Sequence, residues 1–245
     1  MREDIIVGIN SIKQALEANR PAISLLIDSS AKLHARIIEI INIAKPLKIP
    51  VKKVALQKLN ELADGANHQG IILITAAFEY ADLDEILKKT EHENENLFAV
   101  ICDEIEDPYN LGAIIRSAAG AGAHCVIIPA RKSAGLSAAC AKAASGALEI
   151  VPVCKVVNIA ETIEKLKSRG VWAYGADSGG TSIYQTDFRG RGVALVIGSE
   201  GAGLRRLVKE KCDMLVSIPM KSEIESLNAS VAAGIIMFEI AKAKE

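Results

Sequence analysis

Leu97-Phe98-Ala99-Val100-Ile101-Cys102-Asp103, and four residues later Asp107-Pro108-Tyr109-Asn110-Leu111-Gly112-Ala113-Ile114-Ile115-Arg116, set the fold of this chain. The first string is an unbroken apolar run of strand length. The second opens on a turn dipeptide and continues with small and apolar residues, as a buried helix does. A strand joined by a short loop to a helix is the repeating unit of a parallel sheet. The unit recurs downstream: strands over 124–129, 151–156, 171–176, 193–198 and 214–218, and helices over 138–146, 159–169 and about 227–242. Gly170 stands at the C-cap position of the helix before it. Short β-branched strands alternating with helices predict an α/β domain over 98–245, with a mostly parallel sheet covered on both faces.

Upstream lies a smaller α/β module over 1–76. An apolar start leads into an amphipathic helix within 5–19, with Ile12, Ala15 and Leu16 on one face and Ser11 as its cap. Strands are expected over 23–28, 51–55 and 70–76, and helices over 33–44 and 56–62, with Pro46 and Pro50 as punctuation. Between the two bodies, residues 76–97 carry two Lys+Arg against seven Asp+Glu. This acidic stretch, 77–97, reads as an exposed linker that contains an amphipathic segment at Leu83, Ile86 and Leu87.

Half of the residues are apolar but only 4% are aromatic, so the core must be aliphatic. The formal net charge is −1, so bulk charge does not announce a polyanionic partner. The five cysteines form no CxxC pair, and buried thiols in a reducing compartment are expected rather than a disulfide or zinc framework. The charged start has no apolar signal segment, and Arg116 and His124 break the longest apolar stretch. The expectation is a cytoplasmic protein that does not span a membrane.

Ligands of open α/β sheets bind where strands end. Three loops there are too polar to be plain turns. The first is Asp107–Arg116 as quoted, with Asn110 placed to cap its helix. The second is Gly198-Ser199-Glu200-Gly201-Ala202-Gly203, where glycines permit close approach of backbone to a ligand. It is neither GxGxxG nor a phosphate loop, which argues against a generic dinucleotide enzyme. The third is Ile218-Pro219-Met220, Ser222, and Glu225-Ser226-Leu227-Asn228. Helix capping explains Ser226 or Asn228 but not both.

These three segments, in this order, resemble the signature motifs of SpoU-type RNA 2′-O-ribose methyltransferases of the SPOUT superfamily. Asn110, Gly112 and Arg116 match the first motif, 198–201 the second, and Ile218-Pro219 with Ser226-Leu227-Asn228 the third. The likeness spans the chain. It implies an L30e-like RNA substrate-binding domain over 1–76, a trefoil knot in the C-terminal part, and a homodimer whose sites draw on both subunits. The segments Ala134-Gly135-Leu136 and Ala144-Ser145-Gly146-Ala147 are similar to the branch that methylates a guanosine of large-subunit rRNA. The cofactor implied is S-adenosylmethionine, against the backbone at Gly198, Ile218 and Leu227, with no metal. Asn110, Arg116, Glu200, Ser226 and Asn228 would form the catalytic wall facing the RNA.

Arg116 is cast in two ways. Either it is desolvated enough to accept the hydroxyl proton, or it stays charged, clamping a phosphate and the developing alkoxide. Arg131, Arg205 and Arg206, which follow strand ends or the glycine loop, are the expected RNA phosphate contacts. Two other readings are a tRNA ribose methyltransferase and a non-catalytic RNA-binding protein of ribosome assembly. The second has no use for so complete a polar set.

Overall fold

The computed structural model describes residues 3–17, 21–30, 35–76, 79–221 and 226–244, in two compact units, 1–79 and 80–245. The first unit runs β1 (Glu3–Val7), α1 (Ile9–Glu17), β2 (Ala22–Asp28), α2 (Ala35–Ala44), β3 (Val51–Val54), α3 (Leu56–Ala63) and β4 (Ile71–Ala76). β4 lies between β1 and β2, antiparallel to both, and β3 is a parallel edge strand beside β2. Ile12, Ala15 and Leu16 of α1 are buried, as their spacing demands, and α2 buries Ile37, Ile40 and Ala44. Ser11 does not cap α1. Gly8, at φ +86°, turns the chain out of β1 and its carbonyl already accepts from Ile12 N (3.0 Å), while the Gln69 side chain accepts from Ile9 N (3.1 Å). Leu33, the expected start of the second helix, lies outside the described residues.

The acidic stretch is not an exposed connector from residue 80 onward. Tyr80 Oη accepts from Leu136 N (3.1 Å) and Ala81 N donates to the Val153 carbonyl (2.9 Å). α4 (Leu83–His92), capped by Asp82, buries Leu83 and Leu87 in the core of the second unit. Net charge conceals this, because acids on the outward face leave an i, i+4 leucine pair free to dock.

The second unit continues as β5 (Phe98–Cys102), α5 (Pro108–Gly120), β6 (Cys125–Pro129), α6 (Ala138–Ala144), β7 (Val153–Val156), α7 (Ile159–Lys167), β8 (Val171–Ser182), β9 (Gly192–Ile197), α8 (Arg206–Lys211), β10 (Met214–Ser217) and α9 (Ala229–Lys244). Its six strands stand in the order β10-β8-β9-β5-β6-β7, and every neighbouring pair is parallel. The expected parallel sheet is therefore present, with central β5 and β9 buried throughout. β8 is longer than expected, because Thr181 and Ser182 pair with Val216 and Ser217 of β10 across a register shift. Gly112 lets α5 and α6 touch: a Cβ there would lie 2.4 Å from the Cys140 carbonyl oxygen.

From β5 the chain moves outward through β6 to β7, then returns to lay β8 and β9 on the other side. The loops after β5 and β9 consequently diverge, and a crevice opens at the carboxyl ends of the central strands.

Candidate active site

The glycine loop is folded back on itself. Ser199 and Gly203 exchange two backbone hydrogen bonds (3.1 and 2.9 Å), which leaves Glu200, Gly201 and Ala202 as a turn. Gly198 packs directly on the returning strand of the loop: a Cβ there would lie 2.2 Å from Gly203 C. Only glycine fits that approach.

The loop is pinned from below by Asp103, a fully buried residue at the end of β5. Its carboxylate accepts from Arg205 N (3.0 Å), Nε (2.8 Å) and Nη2 (2.5 Å). Arg205 is thus committed to closing the loop, with its guanidinium held charged by the Asp103 carboxylate.

Asn228 ties the three motifs together. Its Oδ1 accepts from Ser230 N (2.9 Å), Ser230 Oγ (2.6 Å) and Val231 N (3.3 Å), which caps α9. Its Nδ2 donates to Asn110 Oδ1 (2.9 Å) and to Glu200 Oε1. Asn110 does not cap α5. Asp107 does, accepting from Tyr109 N and Asn110 N (3.1 and 3.3 Å), so the Asn110 side chain is free to meet Asn228.

A cavity of about 600 Å³ opens beside this junction. Gly198, Ile218 and Leu227 all line it, as do Glu200, Ser226 and Asn228. Its size suits a small organic molecule. A second cavity of about 350 Å³, lined by Glu104, Glu106, Asp107 and Asn110, shares Ser199 and Glu200 with the first. Glu200 stands between the two. Ser222 and Glu225 lie outside the described residues.

Arg116 is not brought to this junction within one chain. It is exposed, lines neither cavity and pairs with no described residue. Six residues along a helix place it roughly 9 Å from Asn110 along the axis and about 120° around it. Arg131 is exposed and unpaired among the described residues, whereas Arg206 pairs with Glu210 (2.6 Å) on the surface of α8.

Two acids at the site escaped the sequence reading, Asp103 and Asp177. Asp177 lines the large cavity, accepts from Gly179 N (3.0 Å) and pairs with Lys209 Nζ (2.7 Å), which holds its carboxyl below the usual range. The available signal was an acid ending an otherwise apolar strand.

Residues 97–238 match the SpoU rRNA Methylase family, and residues 5–81 match the family described as RNA 2′-O ribose methyltransferase substrate binding. The chain is 42% identical over 240 residues to YacO of Bacillus subtilis (strain 168), named for the TrmH family of tRNA/rRNA methyltransferases, covering 98% of this chain and 95% of that one. It is 43% identical over 241 residues to a similarly named protein of Staphylococcus aureus (strain MSSA476), covering 98% and 96%. Among solved structures, the SpoU methyltransferase AviRb from Streptomyces viridochromogenes, in complex with the cofactor AdoMet, is similar at a TM-score of 0.64 and 27% identity, covering 98% and 89%.

Proposed function

The chain belongs to the SpoU rRNA Methylase family of RNA methyltransferases, and from that premise we propose that it methylates the ribose 2′-hydroxyl of a guanosine in large-subunit rRNA. The observation that carries this reading is the Asn228 amide, which links Asn110 and Glu200 at the wall between two cavities.

S-adenosylmethionine supplies an already activated methyl group. The large cavity fits it: the backbone over 198–203, with Ile218 and Leu227, offers strand-end amides and carbonyls, and Asp177 adds one carboxylate. The smaller cavity receives the ribose. There Asn110 and Glu200, both fixed by Asn228, orient the hydroxyl toward the larger cavity. Arg116 acts as a charged clamp. It serves by holding the adjoining phosphate and stabilising the developing alkoxide, while water takes the proton.

A homodimer supplies Arg116 to the junction from the neighbouring subunit. Two observations support this. Arg116 lines neither cavity of its own chain, and α9 exposes Val231, Ile235 and Phe238 at helical spacing although it is apolar all round. A trefoil knot belongs to the same reading. It is supported by a chain that reaches the sheet edge at β10 and then returns to pack α9 on α5. The separate N-terminal unit supports a structured rRNA target.

Methyl-labelled S-adenosylmethionine, incubated with the protein and RNA from a strain lacking the gene, tests the proposal. Label should enter large rRNA as 2′-O-methylguanosine and be lost with Arg116→Ala. Label in tRNA alone would replace the substrate, and no label in any fraction would overturn the catalytic reading.

A further inference from the structure

Residues 40–60 of the first unit contain Lys45, Lys48, Lys52, Lys53 and Lys58 and no Asp or Glu. They follow one another along the β3 edge of the sheet: Lys45 and Lys48 in the turn after α2, Lys52 and Lys53 on edge strand β3, leaving it on opposite sides, and Lys58 at the start of α3. All five side chains are exposed, and none forms an ion pair with a described residue. By contrast, Lys13 on α1 is neutralised by Glu39 of α2 at 2.5 Å. Leu47, Val51 and Leu56 are 41%, 40% and 46% exposed within the same stretch, so the cations are interleaved with apolar surface.

Two ordinary roles account for part of this. A lysine after a helix C-terminus complements the helix dipole, and lysines on an edge strand prevent strand-to-strand association. Neither role calls for five uncompensated charges of one sign. Such a field is costly through self-repulsion unless a polyanion neutralises it.

Resting on the reading of the chain as an RNA methyltransferase, we propose that the lysine face built from the α2–β3 turn, β3 and the start of α3 is the surface with which the first unit grips the phosphate backbone of RNA. The lysines neutralise phosphates and release counterions. The apolar side chains cover ribose surface between them. Such a face adds affinity and orientation with little base selectivity.

The experiment compares the full-length protein with three double variants: Lys45→Gln/Lys48→Gln, Lys52→Gln/Lys53→Gln and, as a control of equal charge change, Lys88→Gln/Lys89→Gln on the exposed side of α4. Binding to protein-free large-subunit rRNA is measured from 50 to 200 mM salt, with thermal melting and S-adenosylmethionine binding followed alongside. The first two variants should bind RNA about five- to tenfold more weakly. The slope of log affinity against log salt should become shallower by about 0.7–0.9 for each phosphate that is no longer neutralised. Their melting and cofactor binding should match wild type. Wild-type slopes in both variants, or equal flattening in the control, overturn the lysine face while leaving the methyltransferase reading intact. A wild-type protein that neither binds nor methylates RNA overturns both, and a protein that methylates RNA without salt-dependent binding overturns this face alone.

Discussion

Both ends of the Asn228 amide are in use, and the two uses are separable by substitution. The oxygen caps α9 and the nitrogen bridges Asn110 and Glu200. Asn228→Asp keeps a good cap but replaces the donor with a carboxylate facing Glu200. Its melting temperature should stay near wild type while methyl transfer falls by about a hundredfold or more. Asn228→Ala removes both uses and should additionally lose about 1 kcal/mol of stability, read by urea unfolding. Equal activity in Asn228→Asp and wild type would sink the bridging role.

At the scale of elements, the Asp103–Arg205 pair is a clamp between the end of β5 and the loop after β9. Arg205→Ala leaves a fully buried carboxylate without its counter-ion. It should cost about 3 kcal/mol, the lower part of the range for such losses because Arg205 is 45% exposed. Cofactor affinity should fall with it, since the loop lines the large cavity. An RNA contact, the role expected of Arg205 from sequence, would instead change salt dependence and leave the melting temperature alone.

The last turn of α9 makes a second clamp. Lys244 Nζ donates to the Asn96 and Leu97 carbonyls (2.8 and 3.2 Å), and burial lowers its amine to about 8. An unfolded lysine titrates near 10.4, so between these values the unfolded chain holds more protons. The Lys244 contribution to stability should therefore rise with pH across that window and be flat below it. The difference in unfolding free energy between wild type and Lys244→Met should shift toward wild type by about 1–2 kcal/mol between pH 7.5 and 9.5. A difference independent of pH would mean that the amine is not desolvated.

Across the whole molecule, the proposed dimer explains why one chain assembles Asn110, Glu200 and Asn228 but leaves Arg116 outside. Two inactive variants, Arg116→Ala and Asn228→Ala, should then complement each other. After mixing and refolding together, half of the dimers are mixed and each holds one intact site, so about a quarter of wild-type activity should return. No recovery would mean that each chain uses its own Arg116.

The sequence by itself determined the parallel sheet of the second unit, because buried strands leave apolar runs whose length and punctuation survive in one dimension. It also determined the membership of the polar loops, because glycine, proline and amide residues at strand ends have few other reasons to cluster. It did not determine what each polar residue bonds to. On paper Asn110 caps the helix behind it. The structure gives the cap to Asp107, because Pro108 starts the helix and places Asn110 inside its first turn, where its side chain meets Asn228, more than a hundred residues away in sequence. The acidic stretch looked solvated because charge adds along a chain, whereas burial depends on which face of a helix the leucines occupy. Arg205 looked free for the same kind of reason: its partner, Asp103, is brought beneath it only by the pairing of β5 with β9. Local pattern sets the elements, while long-range pairing assigns the partners, since a hydrogen bond or ion pair depends on distances that only the folded chain defines.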